Sequence, residues 1–153
     1  MAAQLPDILI LDGDKMDLYS NPLEPYWVSH PKKHPAFLTT EDCMRGYVAT
    51  WEIVNKLLIL RSIEGKVMKR NFLFQKKVVP YSWKMLFPKV KKEGLVASWF
   101  TGKIRVPQGN RLFYVHHAYD SRFEREMIIT IDRGSVIKTV VLDHKQQKLE
   151  VEC

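Results

Sequence analysis

The chain has 153 residues, 46% of them hydrophobic and 27% charged, with a formal net charge of +7. This length fits one domain, and the apolar content excludes a chain disordered throughout, which could not offset the entropy of ordering. No apolar run approaches the roughly 18–20 residues of a membrane-spanning helix.

The first element expected is a hairpin: an apolar run at 8–11, a turn at Asp12-Gly13-Asp14 and a return strand at 16–19. Asp7 and Asp12 bracket the apolar run and no basic segment precedes it, so no secretory signal is expected. Asn21-Pro22 then marks a helix start, with Asn21 as N-cap and Leu23, Tyr26 and Trp27 as its apolar stripe. Pro31 ends it, and HPKKHP at 30–35 is a loop.

From Arg45 the period becomes two. Tyr47, Ala49, Trp51 and Ile53 share one face of a strand, Asn55-Lys56 forms a turn, and 57–63 returns as its partner, stopping before Gly65. Short strands are expected at 72–74, with Phe72 and Phe74 pointing inward, and at 78–81. Ser82 caps a helical piece at 83–87 that Pro88 closes.

The second half is a strand series. A strand at 95–106 is bent at Gly102, with Trp99 near its middle, and 107–110 is a turn leading to a return strand at 111–119. Strands at 124–131 and 136–142 flank a turn at 132–135, and 148–151 adds an edge strand. The short spacings imply antiparallel pairing throughout. The fold class expected is α+β, dominated by antiparallel strands in a curled meander or partial barrel, with one or two short helices in a single domain.

Charge is segregated along the chain. Residues 1–44 carry −4, whereas residues 66–92 hold nine bases and no acid. Such a field raises encounter rates with acidic partners. The binding residues it nominates are Lys69, Arg70, Lys76, Lys77, Lys84, Lys89, Lys91 and Lys92. An acidic protein is the first partner expected. Nucleic acid is a second, because Phe72, Phe74, Tyr81 and Trp83 are interleaved with these cations.

Catalytic signals are sparse. His116 and His117 precede Glu124 and Glu126, and a hairpin between them would set a histidine opposite a glutamate, a pair able to exchange protons. Arg105 or Arg111 would then clamp an anion. No serine sits in a nucleophile elbow, and no glycine pattern cradles a phosphate. His30 and His34 are kept from a shared helical face by prolines, and Cys43 and Cys153 form neither a disulfide framework nor a metal site. No metal and no cofactor are expected, and a reducing cytoplasm is the expected compartment.

The stretch WFTGKIRVPQG (99–109), with YVHHAY (114–119), RGYVATWEI (45–53) and NPLEP (21–25), resembles a pattern in small uncharacterised bacterial single-domain proteins. The resemblance covers about half the chain. It implies a bacterial origin and a single domain, and it carries no activity, cofactor or catalytic residue. Small bacterial domains of this kind are associated with immunity and adaptor roles. Charge segregation together with the lack of an assembled catalytic set makes the expected function a non-catalytic protein-binding module, taking the form of an adaptor or an immunity-type inhibitor of an acidic toxin. A small hydrolase using the His–Glu pair and a nucleic-acid-binding protein are the alternatives.

Overall fold

The computed structural model describes residues 4–87, 94–113 and 122–143. Its strands are β1 (Asp7–Leu11), β2 (Asp14–Leu18), β3 (Tyr47–Val54), β4 (Leu57–Arg70), β5 (Lys76–Pro80), β6 (Leu95–Val96), β7 (Gly102–Phe113), β8 (Arg122–Asp132) and β9 (Ser135–Asp143). Among the described residues, one α-helix, α1 (Glu24–Ser29), and two 3₁₀ turns at Pro31–Lys33 and Trp83–Met85 accompany these strands. More than half of the described residues lie in strands, so the molecule is mostly β rather than α+β. Among the described residues no helix is long and apolar enough to cross a membrane.

The main sheet runs β2-β1-β3-β4-β9-β8-β7. It is mixed, because β1 pairs parallel to β3, with Leu9 opposite Trp51. All-antiparallel pairing was the expectation; the chain instead leaves the first hairpin through α1 and re-enters beside β1. The sheet curls without closing into a barrel. Its two edges meet at one point, where the Tyr19 amide donates to the Arg105 carbonyl at 2.7 Å.

Three of the hairpins close through two-residue turns. Asp12-Gly13, Asn55-Lys56 and Arg133-Gly134 all have positive φ, the conformation that matches strand twist in tight hairpins. On β3 the alternation holds: Tyr47, Ala49 and Trp51 are buried. On β4 the buried set changes phase, from Leu58 and Leu60 to Ile63, because Arg61 is an extra residue between the Trp51–Leu60 and Thr50–Ser62 pairs. These side chains meet Leu9, Leu18, Leu23, Ile104, Val106, Ile129 and Ile131 in one core.

Several elements depart from expectation. The α1 N-cap position is Leu23, not Asn21, and no side chain caps it. β6 has only two residues, so Trp99 and Phe100 lie in a turn rather than mid-strand; the Trp99 indole donates to the Pro22 carbonyl at 2.9 Å. β7 runs through 107–110, absorbing the expected turn as a register irregularity between Gln108 and Arg111. Pro107 is tolerated there because β7 is an edge strand.

β4 does not stop before Gly65. Gly65 is where the strand changes partner, from Tyr47 on β3 to β5 at Lys66. A Cβ there would lie 2.7 Å from the Phe37 ring and 2.9 Å from the Gly46 carbonyl oxygen, so only glycine fits. Beyond it β4 and β5 continue as a separate two-stranded arm.

Candidate functional site

The arm is the surface that gathers the basic residues. Its register places Lys69 opposite Lys77 and Arg70 opposite Lys76, with Lys66, opposite Pro80, three residues nearer the root. Like charges directly opposite each other destabilise a strand pair. Two such rungs stand in succession, and among the described residues none of these four cations has an ion-pair partner. Lysines on an edge strand such as β5 discourage further strand pairing, which accounts for one side of each rung only. Lys84 is exposed on the Trp83–Met85 turn. Lys89, Lys91 and Lys92 lie outside the described residues.

The tip of the arm corrects the expectation of an inward-facing strand at 72–74. Phe72, Leu73 and Phe74 are 88%, 60% and 80% exposed. The turn presenting them is built from Asn71. Its side-chain oxygen accepts the amides of Leu73 and Gln75, each at 2.9 Å, and its backbone amide donates to the Gln75 carbonyl at 3.0 Å. An asparagine that binds the backbone two residues on is a turn signal. It was the cue in the sequence that outweighs the alternation of Phe72 and Phe74. Phe74 itself has φ +59°, a region where bulky side chains are uncommon. At the root of the arm, Phe37 bridges to Val67 and the Leu38 amide donates to the Lys66 carbonyl at 2.8 Å.

The hydrolase candidates are distributed differently. His116 and His117 lie outside the described residues, and Glu124 falls within β8. Glu126 and Arg105 are joined to one another. The Glu126 Oε1 accepts from both Nε and Nη2 of Arg105, diagonally across the β7–β8 pair. Glu126 is only 2% exposed. The Arg105 guanidinium lies over the Tyr19 ring at 5.4 Å, and its backbone amide donates to Ser20 Oγ at 3.1 Å. The pair thus braces the point where the two sheet edges meet. Glu126→Ala is expected to cost about 1.5–3 kcal/mol and to speed hydrogen exchange of the Tyr19 amide. Unchanged stability and exchange would remove that bracing role.

Elsewhere, charged groups are engaged in the framework. A depression of about 450 Å³ is lined in part by Glu24, His34, Phe37 and Arg45. Glu24 accepts the Tyr47 hydroxyl at 2.8 Å, and this carboxylate together with burial pushes the Tyr47 phenol up, with burial the larger cause. His34 stacks on Trp27 with ring centres 4.9 Å apart, and His30 stacks on Tyr26 at 4.3 Å. Among the described residues no three histidine, cysteine or acidic side chains converge as metal ligands.

No protein-family model, curated protein or solved structure matches this chain. The functional reading therefore stands on the arm itself.

Proposed function

We propose that this protein is a non-catalytic binding module whose working surface is the β4–β5 arm and whose target is acidic. One observation carries the reading: Lys69, Arg70, Lys76 and Lys77 are stacked as two like-charge rungs on a projecting hairpin. That arrangement lowers the stability of the free arm and is relieved when negative charge arrives. An anionic surface satisfies it, whether carried by a protein, a nucleic acid or a lipid layer, and docking of this kind requires no chemistry.

The test is retention on immobilised heparin, a polyanion that stands in for any acidic surface. Reversing the four rung cations to Glu preserves the like-charge strain while inverting its sign. A control reverses exposed Lys15, Lys32, Lys33 and Lys138, giving the same change in net charge away from the arm. The arm variant is expected to pass unretained while the control and the parent elute only at raised salt. Equal elution of both variants would remove the arm as the docking element.

A further inference from the structure

The charge of the arm calls for an acidic target, but it gives no role to the apolar residues at its end. Phe72, Leu73 and Phe74 are consecutive residues of the turn, and all three are exposed. The exposure is not that of a frayed loop, because Asn71 holds the turn with four hydrogen bonds to Leu73 and Gln75. Phe74 occupies a left-handed position that glycine or asparagine would fill without strain. Strain retained at an exposed aromatic residue points to use of that residue.

Beneath the tip the cations form a collar. Arg70 and Lys76 make the first rung, and Lys69 and Lys77 the second. Successive rungs are separated by only about 3.4 Å along a strand. On one face of the arm Met68 and Val78, opposite each other and each 48% exposed, extend the apolar surface downward.

We propose that the arm docks on an anionic lipid surface, with Phe72, Leu73 and Phe74 entering the interfacial region and the collar lying among the headgroups. This rests on the reading of the arm as the docking element and names its target. Apolar residues penetrate roughly 5–10 Å in peripheral membrane elements, with Lys and Arg holding the charged layer above. Three consecutive exposed apolar residues at the end of the arm suit a medium that accepts each of them without a shaped pocket. An acidic protein would have to supply an apolar socket for three bulky side chains within its acidic surface. A nucleic acid would stack on the two phenylalanines and leave Leu73, Met68 and Val78 without a role.

The experiment is co-sedimentation of the full chain with phosphatidylcholine vesicles, with and without phosphatidylserine. The parent is expected to pellet only with the anionic vesicles. The four-cation reversal is expected to lose on the order of 1,000-fold in partitioning, since each cation near such a surface contributes roughly fivefold. A Phe72→Ser, Phe74→Ser variant keeps the collar, so it is expected to bind at low salt and release at salt concentrations the parent survives. Both sites are exposed, and an unchanged thermal midpoint verifies folding.

Phe72→Trp supplies the depth reading, because its added fluorescence should be quenched by lipids brominated on their acyl chains. Vesicle binding without that quenching, or with the serine variant as salt-resistant as the parent, would overturn insertion. Heparin retention without vesicle binding would overturn the lipid target and leave the arm as docking element. A gel shift with an oligonucleotide, or binding to polyglutamate, in the absence of vesicle binding would reassign it to nucleic acid or acidic protein. Loss of heparin selectivity for the arm would remove both readings together.

Discussion

Replacing Asp7 by alanine is expected to lower the unfolding free energy by about 3–5 kcal/mol, measured as a fall in denaturant midpoint at an unchanged slope. Asp7 is fully buried at the start of β1. One carboxylate oxygen accepts from Arg45 Nη2 at 2.8 Å and from the Ala49 amide at 3.1 Å; the other accepts the Trp51 indole at 3.1 Å. Alanine would strand all three donors, and the Arg45 side chain, itself only 10% exposed, would be left charged without its counterion. Asp7→Ala combined with Arg45→Met should recover part of the loss, since the orphaned cation is removed while two donors stay unsatisfied. No recovery would mean that the cost lies in the cavity and the neutral donors alone.

The same group makes stability depend on pH. Burial raises the Asp7 pKa, outweighing the lowering by Arg45 and by the hydrogen bonds it accepts. The folded state therefore holds the proton more tightly than the unfolded chain. The favourable contribution is complete below the unfolded value of about 3.9 and is lost as pH rises through the higher folded value. The stability difference between the parent and Asp7→Asn, which cannot titrate, should accordingly shift against the parent as pH climbs through that interval. A pH-independent difference would show that Asp7 titrates alike in both states.

What the sequence disclosed and what it hid divides along a physical line. Hairpins closed by local turn chemistry were legible: Asp12-Gly13, Asn55-Lys56 and Arg133-Gly134 each bend the chain where expected. So was the buried face of β3, because alternation around Tyr47, Ala49 and Trp51 is a local pattern. The parallel β1–β3 pair was not, since it depends on distant segments meeting across α1 and its flanking loops. Asp7 reads in the sequence as a polar boundary to an apolar run, because nothing nearby announces that Arg45 and Trp51 will surround it.

For the candidate site, the charge was legible and its shape was not. Residues 66–92 stood out by composition, but Gly65 looked like a strand terminus when it is the point of partner exchange that launches the arm. Period-two alternation of Phe72 and Phe74 suggested a buried face. Asn71 decided the matter by folding those residues into a turn. Likewise Glu126 and Arg105 looked like an acid and an anion clamp until the register brought them to each other.

Trp51→Ala is expected to rank with Asp7→Ala, at about 3–5 kcal/mol. The side chain is fully buried on β3, beside Leu9 on the parallel strand and Leu60 on the antiparallel one. Its ring lies 6.3 Å from that of Trp99, whose own indole reaches Pro22 ahead of α1. Removing it opens a cavity between the sheet and the 97–100 turn and withdraws the donor from Asp7. Trp51→Phe keeps most of the packing and loses the hydrogen bond, so its cost should be nearer about 1.5–3 kcal/mol. Because both replacements act through Asp7, their effects should fail to add to Asp7→Ala, with the alanine pair costing less than the sum. Each kcal/mol is worth roughly 2–4 °C in a domain of this size, so Trp51→Ala should lower the thermal midpoint by about 10 °C. A midpoint within a degree or two of the parent would mean that β3 is not the centre of the core.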